Sequence, residues 1–346
     1  MVFGNLSTGY WLGAAAAAGL HWVELDRETL TGTSDNVDTG TFTTKPYLMI
    51  LSHLPCDVNT NEKWQFNNDS GNNYALRASQ NGATDNTGTS QPDSQALVNH
   101  DVTGDHFGVW FINNNSSQEK LCVNHVVQEN TSGAGTAPTR SDGVMKWANT
   151  SAQINRVKAF KTSSTDYNVG SEVVVLGCDP DDTEGTSVWE ELKSVSLSSG
   201  ADTLDTGSFT SKKYLWIQAF IPEGAAHHGY IYFNNDTGAN YARRGSINAG
   251  SDITTAPDNE INWSHATNSA KYLNMFVINK SDKEKLCIAE YTDYNSAGAG
   301  NAPNRIEWVY KWANTSAQIS SVKLYNQENS STDFPSGTLL KVWGFD

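Results

Sequence analysis

The segment 146-KWANTSAQI-154 occurs a second time, unchanged, as 311-KWANTSAQI-319. Two further pairs of segments match in the same order: 38-DTGTF-42 with 205-DTGSF-209, and 66-FNNDSGNNYA-75 with 233-FNNDTGANYA-242. The offset is 167 residues from Asp38 to Asp205 and 165 from Lys146 to Lys311, so one copy has lost two residues net. Nine identical residues in a row at a nearly constant offset indicate tandem duplication of one domain.

The duplication predicts the domain boundaries. Each copy opens with an equivalent tryptophan, Trp22 or Trp189. We therefore expect one module over 21–178 and a second over 188–346, each of ordinary single-domain size. The acidic segment 179–187 is expected to be a linker. A repeat this long far exceeds the roughly 20–45 residues of a solenoid unit, so the modules are expected to be arranged like beads on a chain.

Short apolar runs between polar turns indicate the fold class. They are rich in Val, Ile, Phe, Tyr and Trp and have the length of β-strands. These runs cover 47–54, 107–113, 121–127, 154–160 and 172–177 in the first copy, and 214–221, 272–279, 286–291, 319–325 and 338–345 in the second. We predict an all-β protein of two tandem jelly-roll-like β-sandwich modules, preceded by a Gly/Ala-rich N-terminal arm.

Two long polar stretches, 77–104 and 243–268, are predicted to be loops. They carry little apolar content and differ more between the copies than other regions do. Because long loops on a rigid sandwich often carry binding function, host glycans are possible ligands of these loops. The alternative explanation for this difference is sequence drift in loops that are under no functional constraint.

The charge of the chain excludes some partners. With 38 acidic and 23 basic residues the formal net charge is −15. Nucleic acid and anionic membrane surfaces attract clustered Lys and Arg, so neither is an expected partner. The same surface would keep a protein soluble at high ionic strength.

Cysteines and acidic residues give little sign of a metal or cofactor site. Cys122 and Cys287 are equivalent and lie in apolar runs, where a buried thiol is the ordinary outcome, whereas Cys56 and Cys178 are candidates for a disulfide in the first copy. No Cys or Cys/His spacing typical of zinc occurs, and no cofactor is expected. A weak calcium-loop candidate is formed by Asp179, Asp181, Asp182 and Glu184, which depart from the D-x-D-x-D-G pattern.

Catalytic patterns are also missing from the sequence. The first copy contains His53, His100, His106 and His125, and the equivalents of His53, His106 and His125 in the second copy are not histidines. His227 and His228 are adjacent, which favours a solvated pair over a metal site. No nucleophile elbow, zinc-protease motif, phosphate loop or dinucleotide fingerprint occurs. We therefore expect a protein that is not an enzyme.

The motifs that the copies share are predicted to keep the fold. In F-N-N-D-[ST]-G-x-N-Y-A, the Asn-Asn-Asp-Ser/Thr-Gly run has the chemistry of a tight turn with positive φ, and flanking aromatics enter the core. Ion or sugar binding by Asp69 and Asp236 is the alternative. The predicted scaffold residues are Trp22, Phe66, Asp69, Gly71, Tyr74, Trp147, Trp189, Phe233, Asp236, Gly238, Tyr241 and Trp312.

Residues 1–20 lie outside the duplication. The segment has no Lys or Arg and is broken by Gly4, Gly9 and Gly13, so it fits neither a secretory signal nor a membrane span. We interpret it as an attachment arm that docks on a neighbouring subunit through Tyr10, Trp11 and Leu12; a disordered tail is the alternative.

Taken together, the motifs resemble domains of tailed-phage tail-fibre and related virion proteins, in particular those of marine phages. The resemblance rests on the opening Trp, D-T-G-[ST]-F, F-N-x-D-[ST]-G-x-N-Y, a late W-x-x-T-S-A-Q-I strand, and the closing segments 170-GSEVVVLGC-178 and 337-GTLLKVWGF-345. It covers nearly the whole chain except the arm and the linker. It implies jelly-roll-like modules that project from the particle and often form trimers.

The leading hypothesis is thus a virion structural protein on the particle surface, as a tail fibre, adhesin or capsid decoration. We expect its arm to attach it to another virion protein. We also expect self-association, with a trimer favoured. Host glycans are a candidate ligand. The alternatives are a pair of carbohydrate-binding modules and a cell-surface filament or lattice subunit.

Overall fold

The computed structural model describes residues 21–57, 62–93, 104–161, 167–182, 185–224, 227–264, 267–294, 298–327 and 333–346. Every regular element in these ranges is a β-strand, which confirms the predicted all-β class. Within the same ranges there is no helix long and apolar enough to cross a membrane.

The first module contains strands β1 to β11, and all of their pairings are antiparallel. The strands are β1 (Val23–Thr29), β2 (Asn36–Asp38), β3 (Tyr47–His53), β4 (Glu62–Phe66), β5 (Tyr74–Gln80), β6 (Asn86–Gln91), β7 (His106–Asn113), β8 (Lys120–Gln128), β9 (Thr139–Trp147), β10 (Val157–Lys161) and β11 (Glu172–Cys178). They form an eight-stranded sheet, in the order β1-β11-β3-β7-β8-β9-β5-β6, and a three-stranded sheet, β2-β10-β4.

The second module repeats this plan with one more short strand. Its strands are β12 (Glu190–Ser196), β13 (Thr203–Asp205), β14 (Tyr214–Ile221), β15 (Gly229–Phe233), β16 (Tyr241–Ile247), β17 (Ile253–Asp258), β18 (Ile261–Asn262), β19 (Lys271–Ile278), β20 (Lys285–Asp293), β21 (Asn304–Trp312), β22 (Val322–Asn326) and β23 (Leu339–Phe345). The large sheet has the order β12-β23-β14-β19-β20-β21-β16-β17, and the small sheet β13-β22-β15-β18.

Each module is a jelly-roll-like β-sandwich with its own core between its large and small sheets. In the first module Trp64 of the small sheet meets Trp110 of the large sheet with ring centroids 4.6 Å apart. In the second, Ile231 and Met275 hold the corresponding places, and both are fully buried. Both modules therefore exclude water from an interior of their own.

A third apolar cluster joins the two modules. It contains side chains from the outward faces of both large sheets, among them Met49 and Phe107 of the first module and Tyr214 and Trp216 of the second. A sheet face this apolar has to be shielded from water by other protein groups. The modules therefore pack face to face, and the expected arrangement of separate beads is wrong.

The structure corrects three further expectations. The stretches 77–104 and 243–268 are not simply loops, because they contain the end of β5, β6, most of β16, β17 and β18. Strands β6 and β17 lie at sheet edges with mostly exposed or half-buried side chains, so their sequences lack an apolar signal. The segment after Trp147 is not a strand either, since β9 ends at that residue and β10 begins at Val157.

No disulfide joins Cys56 and Cys178. Cys178 pairs with Tyr47 at the start of β3, whereas Cys56 lies beyond the end of that strand at His53. Seven residues of extended chain separate the two positions by roughly 20 Å, far outside the reach of a disulfide. All four cysteines are buried.

Candidate functional site: an open cleft between the modules

The shared motifs form a structural turn in each module. Asp69 accepts hydrogen bonds from the Gly71 amide (2.8 Å), the Asn73 side chain (2.9 Å) and the indole of Trp147 (2.7 Å). These bonds lower the pKa of Asp69 against the opposing effect of its partial burial. The Tyr74 hydroxyl accepts from the Phe66 amide at 2.9 Å. Three of the roughly four acceptor sites of the Asp69 carboxylate are used within the turn, which supports a structural role for this residue.

The second copy repeats this arrangement. Asp236 accepts from the Gly238 amide at 2.9 Å and from the Trp312 indole at 2.7 Å, and the Tyr241 hydroxyl accepts from the Phe233 amide at 3.1 Å. The Asn-Asn pair has positive φ in both copies, 53° and 54° at Asn67 and Asn68, and 53° and 55° at Asn234 and Asn235. The turn predicted from the motif is therefore observed twice.

Equivalent residues of the two copies meet at the interface between the modules. The rings of Phe111 and Phe276, which are 165 positions apart, have centroids 6.0 Å apart. His125 and Glu290, also 165 positions apart, form an ion pair of 3.1 Å between Nε2 and Oε1. Contacts between equivalent residues are found near a two-fold axis, so the modules are related like the halves of a two-fold dimer.

One side of this pseudo-two-fold interface is closed. The ring of Phe107 packs against Tyr214 at 6.4 Å, and the Tyr214 hydroxyl donates to Glu172 at 2.7 Å. Lys213 also binds Glu172, at 2.7 Å, and together these partners outweigh burial and lower the pKa of Glu172 to about 2. Apolar residues fill the remainder of this side: Leu51 and Val127 from the first module, and Ile278 and Leu286 from the second.

The other side is open and forms a cleft of about 830 Å³. Its first wall carries Tyr47, Leu121 and Val123 from the start of β3 and from β8, with Trp22 also part of the lining. The second wall is lined by residues of β14, β19, β20 and β21, including Trp216, Gln218, Tyr272, Asn274, Phe276, Ile288 and Thr292. A concave, mainly apolar space with a few convergent polar groups is the usual form of a binding site.

Differences in exposure between equivalent residues define the asymmetry. Tyr47 is 41% exposed and Leu121 58%, whereas their equivalents Tyr214 and Leu286 are 1% and 0% exposed. The same holds for Val123 and Val144, at 46% each, against Ile288 and Val309 at 5% and 2%. A surface that is covered in the second module is thus uncovered in the first.

Sequence differences accompany the opening. The apolar residues Leu51, Val109 and Val127 of the first module have polar equivalents in the second, Gln218, Asn274 and Thr292, and these three line the cleft. These polar groups are ordered: the Trp216 indole donates to Asn274 at 2.5 Å and the Gln218 amide donates to the Tyr272 hydroxyl at 2.6 Å. The second wall thus presents aromatic rings with amides held between them.

Charged residues close one end of the cleft. Arg140 binds Asp142 of its own module at 2.9 Å and reaches Asp252 and Glu307 of the second module at 2.8 and 3.0 Å. Burial lowers the pKa of His125, but the hydrogen bonds that its ring donates to Asp142 and Glu290 outweigh this and raise the pKa to about 10. His125 is therefore a cation at neutral pH, and this cluster fixes the relative position of the modules.

The remaining metal candidates are not brought together in the part of the chain that the structure describes. In the described part of the chain, no group of three or more His, Cys, Asp or Glu residues could hold a metal ion. Asp182 pairs with Lys45 at 2.6 Å, and the Asp179 carboxylate accepts from the Asp181 amide at 3.0 Å. Glu184, His100 and the arm residues Tyr10, Trp11 and Leu12 lie outside the described residues.

Two histidines of the first module belong to a buried polar cluster. His53 lies 3.5 Å from Asp105, and burial lowers the pKa of this histidine. His106 lies 3.6 Å from Glu62 and 2.8 Å from the Gln128 amide. All five side chains are closed off from solvent, so they are not positioned to meet a substrate.

The expectation of a solvated pair at His227 and His228 is wrong. His227 is fully buried 3.2 Å from the Lys271 ammonium, and His228 binds Asn262 at 3.1 Å. Apart from Tyr230, whose hydroxyl lies 2.9 Å from His228 Nδ1, these partners lie more than 30 residues away in the sequence.

The comparisons with known proteins give no family. No family model matches the chain, and no curated protein does. Among solved structures, the chain is similar to domains LG4-5 of the mouse laminin alpha1 chain, with 10% identity over 96% of this chain and 92% of that one, at a TM-score of 0.18. It is also similar to the flagellar hook junction protein FlgK from Burkholderia pseudomallei, with 8% identity over 79% of this chain and 42% of that one, at a TM-score of 0.13. Neither likeness is close enough to bear on function.

Proposed function

We propose that this protein is a non-enzymatic structural subunit displayed on the surface of a tailed-phage particle, as a tail fibre, adhesin or capsid decoration. The half-open interface between the two modules is the structural observation that supports this proposal. A rigid pair of sandwiches that leaves one side of a repeated interface uncovered has a surface suited to a further chain or ligand. The phage setting is supported by the motifs shared with virion domains.

The proposed lack of catalysis has support of its own. His53 and His106 are buried beside Asp105 and Glu62, and Asp69 and Asp236 are turn residues. An acid–base catalyst instead needs a group that can reach a substrate.

Purified particles test this proposal. Mass spectrometry of gradient-purified virions should detect the chain, and immunogold electron microscopy should place it at a fixed position on each particle. A chain found free, or in a cell-surface lattice without particles, would contradict a virion role. The lattice result would establish the alternative of a surface-layer or filament subunit.

Glycan recognition is a second candidate function, and the lining of the cleft favours it. Tyr47 and Tyr272, each 41% exposed, line the same cleft as the amides of Gln218 and Asn274. Sugars bind to aromatic rings through their C–H faces and to amides through their hydroxyls. The cleft, and not the stretch 243–268, is therefore the proposed glycan site.

A glycan array tests this candidate. Parent protein should bind a defined subset of glycans, and Tyr272→Ala should abolish that binding. Val169→Ala is the control, because Val169 is exposed away from the cleft lining. No binding by the parent, or equal loss with both variants, would contradict glycan recognition in the cleft.

A further inference from the structure

We infer that the open cleft binds the N-terminal arm of a second copy of this chain, with the apolar segment Tyr10–Leu12 seated in it. The inference names the occupant of the docking surface and so rests on the proposed structural role. Four observations lead to it.

The chemistry of the arm matches that of the cleft. Residues 1–20 contain no Asp, Glu, Lys, Arg or His, and they include Phe3, Tyr10, Trp11 and Leu12. Transfer of these apolar side chains from water into an apolar cleft lowers the free energy. An uncharged segment also avoids repulsion by a protein whose net charge is −15.

The uncovered surface is the kind that a chain segment covers. Leu121, Val123 and Val144 lie on neighbouring strands, and Val123 and Val144 are direct partners across β8 and β9. Their equivalents in the second module are covered because the first module packs on them. The equivalent patch in the second module is thus covered by polypeptide, which indicates that this patch of the first module can be covered in the same way.

The attachment point of the arm lies at the cleft. Trp22, which lines the cleft, is the second described residue after the arm. Its indole nitrogen is buried, and among the residues that the structure describes it has no hydrogen-bond partner.

The spacing favours binding between copies. Eight residues, 13–20, separate Leu12 from His21, and seven of them are Gly or Ala. Extended, they reach at most roughly 28 Å, about the diameter of a small domain. A spacer of this length is long enough for the anchor to reach the cleft of a neighbouring copy. Such a head-to-tail contact produces either a closed ring, of which the expected trimer is one, or a filament.

Complementation between two full-length variants tests the inference. Trp11→Asp blocks the arm and leaves the cleft intact, while Leu121→Asp blocks the cleft and leaves the arm intact. Light scattering after size exclusion should show wild-type oligomers and at least about ten-fold weaker self-association of each variant alone. An equimolar mixture should give 1:1 dimers, because one arm and one cleft remain usable.

Val169→Asp is the matched control, because Val169 and Leu121 are both 58% exposed. It should associate like the wild type, and all variants should retain the wild-type melting temperature within a few degrees. Monomeric wild type, a mixture that does not dimerise, or equal loss with Val169→Asp would each overturn the inference. Detection in virions is measured separately, so a failed complementation leaves the particle proposal standing.

Discussion

His125 and Glu290 occupy the same position in the two copies, and their side chains form an ion pair across the interface between the modules. Few pairs of residues can be equivalent and also touch. This pair therefore locates the pseudo-two-fold axis, and it places a titratable group where the modules join.

The first prediction concerns pH. Because the pKa of His125 is raised from 6.5 to about 10 in the folded protein, its contribution to stability is complete below about pH 6.5 and is lost as the pH rises toward 10. Glu290→Gln should lower the melting temperature by a few degrees at pH 6.5 and flatten its dependence on pH between 7 and 10. Differential scanning calorimetry measures both effects.

Glu119→Gln is the control for this prediction, because Glu119 pairs with Lys146 on the exposed surface. Exposed pairs contribute only about 0–1 kcal/mol. Identical pH profiles for Glu290→Gln and wild type would show that the His125 pair does not stabilise the fold.

The second prediction tests whether the modules form one body. A protease site inserted after Asp182 should allow the linker to be cut while the two modules continue to elute together. Leu286→Asp places a charge in the closed side, where Leu286 is fully buried, and should separate the cut modules. The equivalent change, Leu121→Asp, should not, because Leu121 is exposed in the open side. Separation of the cut parent protein would contradict the shared interface.

A third prediction concerns acid stability. Since the pKa of Glu172 is lowered from 4.5 to about 2, its contribution is complete above pH 4.5 and is lost as the pH falls toward 2. Glu172→Gln should reduce stability at pH 7 by about 2–4 kcal/mol, because Lys213 and Arg27 lose a buried partner. Urea unfolding at pH 7 and pH 3 measures the difference, which should shrink at the lower pH. An equal difference at both values would exclude ionisation of Glu172 as the cause.

The fourth prediction uses the duplication as its own control. Trp147→Phe and Trp312→Phe each remove an indole hydrogen bond to the turn aspartate, Asp69 or Asp236. Each should cost about 1.5–3 kcal/mol, and the two values should agree because the geometry is the same. Chemical denaturation followed by tryptophan fluorescence provides the comparison. A large loss in only one copy would mean that the turn is not equivalent in energy.

The sequence predicts local structure better than the site. Asn67, Asn68 and Asp69 have turn chemistry that can be recognised from adjacent residues, and the turn is observed. The bond from Trp147 to Asp69 spans 78 residues, so the sequence shows both partners without showing that they touch.

The sequence did not predict the cleft. Its two walls are formed by equivalent faces of the two modules, and the sequence does not show that these faces meet. A signal does exist: outward-facing apolar residues such as Leu51 and Val109 become Gln218 and Asn274 in the second copy. It acquires meaning only when the outward face of each large sheet is known, which requires the register of strands distant in sequence.

The contact between His125 and Glu290 has a consequence for how this molecule could arise. In a symmetric dimer of single modules, every substitution appears on both sides of the axis, so the two sides must be sealed or unsealed together. Covalent fusion removes that restriction, because each gene segment then mutates alone. His125 can face Glu290 as an opposite charge only in a fused pair, since identical subunits would place histidine against histidine. Covalent fusion thus allows the two sides of the repeated interface to differ: the closed side holds the two modules together, and the open side can bind a partner.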